Sequence, residues 1–223
     1  MFVGHYGVSF AAKGVDARIP LWLLFLAVQA VDVLWAVLVL LGIEKVKLIP
    51  GITAANPLDL YYIPYTHSLV AALSWSALAF FASLRWRRPT SVKAAVVVAA
   101  AVFSHWALDL LVHRPDLPLY DDAHKVGLGL WNYPRLSFVA EVVAVAAGML
   151  IYARARRRDA PPGRLGLTVV GGALVIGNAI FYFGPFPPSV GAVAVMVLAS
   201  YAVFTAAAAW LESRISAGAS RGR

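Results

Sequence analysis

Six long apolar runs dominate this chain, and they leave it few folds to choose from. They cover residues 19–42, 66–84, 92–113, 136–153, 165–183 and 190–211. Each is about the 17–25 residues that cross a hydrocarbon core as a helix. In lipid every backbone N–H and C=O must find its partner within the protein, which a helix achieves inside one segment. The reading is therefore an all-α polytopic membrane protein with about six transmembrane helices. Residues 1–12 are also apolar but too short to span, and are read as a short N-terminal segment able to dip into the bilayer as a helix. Composition agrees. The chain is 61% hydrophobic and only 13% charged, where a soluble domain carries about 25% charged residues. No repeat or second domain is visible. Residues 1–212 are read as one integral membrane domain and 213–223 as a short basic cytoplasmic tail.

The net charge of +8 does not signal nucleic acid, because it is confined to connections. Lys13 and Arg18 precede the first run. Arg85, Arg87, Arg88 and Lys93 join the second to the third. Arg154, Arg156, Arg157, Arg158 and Arg164 join the fourth to the fifth, and Arg214, Arg221 and Arg223 follow the sixth. These are alternate connections. The positive-inside rule places them, and both termini, in the cytoplasm of a cell with a bacterial-type inner (plasma) membrane. In residues 43–65 and 114–135 the opposite charges cancel, and GPFPPS at 184–189 has none. The first 12 residues hold no Lys or Arg, so no secretory signal is read. With no cysteine, disulfides and thiolate metal sites are excluded.

Against this background the ionisable residues inside the runs stand out, because such groups are expensive in a membrane and mark function. His105 and Asp109 are four apart and share a helix face; His113 continues the stripe. Asp32 and His105 each lie about 13 residues into their runs, or about 20 Å of rise. His67 opens the second run. Histidine and aspartate from facing helices are the donors from which bundles build metal sites. His5 approaches the same depth if residues 1–12 dip inward; otherwise it is an interfacial histidine. Glu141 is read as a further ligand, a general base, or a structural partner of Arg135 or His124. Gln29 and Asn178 are possible supports to the ligands or simple interhelical bonds. His113 and Arg114 either hold the outer loop or meet an anionic substrate. Asp116, Asp121 and Asp122 are read as solvated loop residues. The Pro- and aromatic-rich loops 43–65 and 114–135 are either lids or connectors.

Those residues sit in GHYGVSFAAK, QAVD ending at Asp32, PYTHSL around His67, SHWALDLLVHRPDLPLY from Ser104 to Tyr120, and GLGLWNYP followed by Glu141. On them the chain resembles a family of bacterial inner-membrane metal-dependent hydrolases, the LexA-binding inner-membrane-associated hydrolase-like group. It is distantly similar to the helical zinc-dependent phospholipases C and related nucleases. The resemblance covers most of the chain and is densest over residues 1–145. It implies that His5, Asp32, His67, His105 and Asp109 are metal ligands, with Asp109 able to bridge two ions. The soluble enzymes add a downstream HxxxD/E pair; here only His113, His124 and Glu141 are available, at other spacings. The resemblance therefore implies one or two ions, not three.

The expected activity is metal-dependent hydrolysis of a phosphoester or lipid-like substrate in the bilayer. Asp109 or Glu141 is the expected general base. The divalent metal is expected to be zinc, with manganese or iron as alternatives suited to nitrogen and oxygen donors. The rivals are a proton- or cation-handling transporter and a non-catalytic scaffold with a buried polar network. Neither oligomeric state nor substrate is legible.

Overall fold

A computed structural model of the chain describes residues 1–85, 91–156 and 164–221. The expectations that rest on Arg87, Arg88, Arg157, Arg158 and Arg223 fall outside those residues. The order is α1 (His5–Val15), α2 (Leu21–Val28), α3 (Ala30–Leu40), β1 (Lys45–Leu48), β2 (Leu58–Tyr62), α4 (Pro64–His67), α5 (Leu69–Arg85), α6 (Val92–Val112), α7 (Pro134–Arg156), α8 (Arg164–Phe183) and α9 (Val190–Arg221).

Among the described residues, four helical stretches are long and apolar enough to cross a membrane: Val92–Val112, Pro134–Ala155, Leu165–Phe183 and Val190–Ser213. They suggest a membrane-embedded protein. The expected count of six is not confirmed. The first run is broken at Gln29, where α2 and α3 meet at a bend of 52°; counted as one span, this pair brings the total to five. The second run is interrupted at Ser68, whose extended backbone (φ −72°, ψ 151°) separates the single turn of α4 from α5. That leaves α5 with 17 residues.

The N-terminal segment is helical, as its apolar pattern suggests, and it lies at the centre of the fold. α1 packs against α7, α2 and α6. Two glycines allow α1 and α7 to meet backbone to backbone. A Cβ on Gly7 would stand 2.2 Å from the Ala144 carbonyl oxygen, and one on Gly148 would stand 2.0 Å from the Gly7 carbonyl oxygen. Small residues at such crossings let helices in membranes approach closely. Lys13, near the C-terminal end of α1, is buried. Its ammonium donates to the carbonyls of Ala17 and Ile19 and to Glu212 on α9 at 2.5 Å. A cation is favoured at this end of a helix.

The fold is mostly helical but not all-α. Residues 45–62 hold an antiparallel hairpin, in which Lys47 faces Asp59 and Leu48 faces Leu58. Leu58 and Leu60 are buried on one face while Asp59 and Tyr61 are only half-buried. That alternation is the period of a strand with one face on the core. The loop after α6 also folds back on itself, pairing Leu117 with Val126. Its Pro118 and Leu119 carbonyls accept from Leu69 and Val70, the N–H groups that a helix start leaves without partners. Both loops are thus ordered parts of the fold.

Candidate metal centre

α6 supplies the centre of the cluster. His105 and Asp109 project from one face, and His105 Nε2 lies 3.1 Å from Asp109 Oδ2. The bend at Gln29 brings Asp32, in the first turn of α3, towards them; Asp32 Oδ1 is 3.4 Å from His105 Nε2. His67, the last residue of α4, places Nε2 3.2 Å from Asp32 Oδ1 and 3.7 Å from Asp109 Oδ2. His5 opens α1, with Nε2 3.2 Å from Asp109 Oδ1 and its ring stacked on that of His105 at 4.1 Å. His113, just after α6, holds Nε2 3.6 Å from Asp109 Oδ2. The Met1 amino group also pairs with Asp109. All five residues expected as ligands therefore converge, and His113 joins them at the rim.

The outer nitrogens of three of these rings are held by oxygen. His105 Nδ1 is 2.7 Å from the Val28 carbonyl, which lies at the C-terminal end of α2, where carbonyls lose their helical partners. A carbonyl only accepts, so Nδ1 carries a proton, and in the neutral ring Nε2 presents a lone pair to the cluster. His67 Nδ1 is 2.7 Å from the Thr66 hydroxyl, which itself donates to Glu44 Oε2 at 2.6 Å. With its proton on Glu44, that hydroxyl accepts from Nδ1–H, and His67 also turns a bare Nε2 inward. Glu44 Oε1 accepts the backbone N–H groups of Tyr65 and Thr66, so the same carboxylate caps α4 and sets the ring. Burial pushes the Glu44 carboxyl above its usual range, against the opposing pull of His67 and these donors. His113 Nδ1 is 2.8 Å from Asp116 Oδ1. Oxygen on the far nitrogen of each ring is how metal-ligating histidines are usually oriented.

The spacing fits an ion. Tetrahedral zinc with ligands at 2.0–2.1 Å separates them by about 3.4 Å. The facing Nε2 and carboxylate atoms lie 3.1 to 3.7 Å apart. Several of these separations exceed an ordinary N–H···O bond. His105 Nε2 and both ring nitrogens of His5 are buried without a hydrogen-bond partner. Such orphaned atoms are costly unless something else binds them. Two three-ligand groups can be drawn, His5 with His105 and Asp109, and Asp32 with His67 and His105. They share His105, whose single lone pair serves one ion, so only one group can be complete at a time.

Other expected site residues lie elsewhere. Glu141, expected as a base, is in neither ligand group. Its carboxylate accepts from Phe2 N, Gly4 N and the Tyr182 hydroxyl, which makes it the anchor of the N-terminal segment. Gln29 performs the matching task from the other side, donating to the Phe2 carbonyl. Asn178 donates to the Phe138 carbonyl and ties α8 to α7. Arg114 pairs with Asp59 and Asp116 and so joins the hairpin to the loop after α6. His124 is exposed at the tip of that loop. Asp116 corrects the expectation of a solvated loop residue: it is buried. The HRPD spacing carries that signal, because His113 and Asp116 are one turn apart.

Sequence reading missed four contributors. Glu44 and Thr66 orient His67 from outside the ligand set. Tyr201, on α9, donates to Asp32 Oδ2 at 2.5 Å. Trp131 lies against the His113 ring at 4.2 Å. A cavity of about 60 Å³ opens onto the cluster, lined by Asp32, His67, Asp109, His113 and Tyr201 and walled by Trp35, Leu58, Leu60 and Phe181. That is room for a few ordered waters. The hairpin leucines form part of its wall, with the Arg114–Asp59 pair beside them.

No family model, curated protein or solved structure matches this chain. The functional reading therefore rests on the cluster itself.

Proposed function

We propose that this protein is a membrane-embedded metal-dependent hydrolase acting on a phosphoester or lipid-like substrate. The observation that carries the reading is the inward Nε2 of His67 and His105, each set by an oxygen on Nδ1 and each facing Asp32 and Asp109. Among His5, Asp32, His67, His105 and Asp109, one divalent ion would be held at His105 by one of the two groups, with His5 and Asp109 or with Asp32 and His67, zinc first, with manganese or iron suited to the same donors. Such an ion supplies a Lewis acid and makes water beside it more acidic. Asp109, at the buried centre, faces the Nε2 atoms of His5 and His105. Asp32 is the more exposed of the two carboxylates and lines the cavity, so it is the group placed to take a proton from water there. The Tyr201 hydroxyl holds Asp32 Oδ2 and leaves Oδ1 facing His67 and His105. Trp35, Leu58 and Leu60 keep bulk water away. The proposal includes six spans in a bacterial-type inner membrane with both termini cytoplasmic, supported by the alternation of Lys- and Arg-rich connections.

The test is a panel of phosphomonoesters, phosphodiesters and phospholipids offered to purified protein loaded with zinc or manganese. Hydrolysis is expected from wild type and lost in Asp32→Asn and His67→Ala, with both variants still inserted and folded. A loaded wild type that cleaves nothing in the panel would count against the enzyme. Proton or cation flux in liposomes, abolished by Asp32→Asn, would assign the cluster to transport instead.

A further inference from the structure

A groove of about 200 Å³ runs between α8 and α9, lined by Phe, Ile, Pro, Met and Gly with Ser200 as its one hydroxyl. Phe2, Phe181, Phe186 and Met196 line both this groove and the cavity over the cluster. Only side chains separate the two. The partition is built around Phe2, whose ring stacks on Phe181 at 5.1 Å and lies within about 6 Å of Tyr201 and Phe204. Its backbone is pinned at both ends, the N–H by Glu141 and the carbonyl by Gln29. Gly177 keeps the floor open, since a Cβ there would meet Phe204 at 2.9 Å and Phe2 at 3.9 Å.

The outer side of the groove faces where lipid would be. α8 and α9 both carry stretches apolar enough to span a membrane, and Ile180 on the groove's edge is 60% exposed. Met196 to Phe204 covers about 12 Å of helix rise, the scale of a substantial part of an acyl chain. A second apolar groove, between α2, α3 and α9, shares only Tyr201 with the cavity among the described residues. The bond from Tyr201 to Asp32 closes that side.

We propose that the α8–α9 groove takes the acyl chain of a membrane lipid phosphoester, which enters sideways from the bilayer past Phe2 with its headgroup towards the His/Asp cluster. The placement of the headgroup rests on the hydrolase reading; the binding of the chain does not. The experiment uses the full chain in nanodiscs containing a phospholipid with a diazirine halfway along its acyl chain. Photolysis should put adducts on Phe181, Met196 or Phe204. Ser200→Trp, which fills the groove, should cut these adducts about tenfold, whereas Ala202→Trp, in the other groove, should not. Adducts confined to outward residues such as Ile176, which is exposed and outside the groove, or unchanged in Ser200→Trp, would overturn the proposal and leave only annular lipid. If the protein hydrolyses phosphoesters, Ser200→Trp should also lower the ratio of long-chain to short-chain turnover about tenfold. An unchanged ratio overturns the groove as the substrate's route. Loss of adducts in a protein that hydrolyses nothing supports the lipid site and sinks the hydrolase reading.

Discussion

The half of the molecule built from α1 to α6 and the half built from α7 to α9 solve different problems. α7, α8 and α9 are long helices, unbroken over their described apolar stretches. Among their polar side chains, Asn178 and Ser137 serve helix contacts, Glu141 anchors the N-terminal segment, and Tyr201 reaches the cluster through Asp32. The other half is broken repeatedly, and the proposed ligands gather at the breaks. His5 begins α1, Asp32 lies in the first turn after the Gln29 bend, His67 ends α4 and His113 follows α6. Only His105 and Asp109 sit inside a continuous helix. A break costs backbone hydrogen bonds, but it also releases carbonyls and N–H groups for other uses. Here the Val28 carbonyl orients His105, and the first N–H groups of α4 bind the carboxylate that orients His67. Irregular backbone at membrane depth is tolerated where protein buries it, and in this fold that is where the His/Asp cluster lies.

The largest expected effect tests this division directly. His105→Ala and Asp109→Asn should each remove most of the bound metal, because both lie at the centre of the ligand set. Asn178→Leu, an equally buried polar loss in the long-helix half, should leave metal content unchanged. Similar metal loss in all three, measured on detergent-purified protein, would mean that the halves are not distinct.

A smaller effect is expected one shell out. Thr66→Val removes the hydroxyl between Glu44 and His67 and should weaken metal affinity by about 10–100-fold, the usual cost of losing such a partner. Thr66→Ser should restore it. A competition titration with a chromogenic chelator reads both, and equal affinities for Val and Ser would reduce Thr66 to packing.

The smallest concerns an ion pair at the opposite end of α1 from His5, with Asp16 buried and Arg18 exposed. Asp16, between α1 and α2, accepts from Arg18, and that bond holds its carboxyl below the usual range. A lowered folded-state pKa gives stability that is present above the unfolded value and is lost as pH falls through the folded one. Asp16→Asn should therefore melt slightly below wild type at pH 7 and converge with it in acid, with no change in metal content. A gap that widens in acid would reverse the sign of this assignment.

The cluster residues were legible because a carboxylate or imidazole in an apolar run is costly to place in a membrane and stands out against its neighbours. The i, i+4 spacing of His105 and Asp109 also survives any small error in helix limits. The supports were not legible. Glu44 lies outside the runs and Thr66 at the edge of one, and their role depends on a hairpin whose 4- and 5-residue strands give too short a pattern to read. Glu141 misled for the opposite reason: an acid in an apolar run suggests chemistry, and here it binds backbone donors of the N-terminal segment. The breaks at Gln29 and Ser68 were hidden because a polar residue within or at the edge of an apolar run does not by itself end a helix.

The topology can be read on α9 alone, since the chain has no cysteine and Ser189 and Ser213, near opposite ends of its apolar stretch, are both exposed. A cysteine at Ser189 should react with an impermeant thiol reagent in intact cells, and one at Ser213 should not. Ser9 is unsuited to this assay, being buried against the Leu24 carbonyl.

The central claim is that His5, Asp32, His67, His105 and Asp109 hold a divalent ion, and elemental analysis of the full chain in detergent tests it most directly. The account predicts zinc, or manganese or iron, near one ion per chain, removed by a strong chelator and regained on dialysis against the metal. Protein that carries no stoichiometric metal as purified and takes up none on reloading would contradict it, and the cluster would then be a structural polar network.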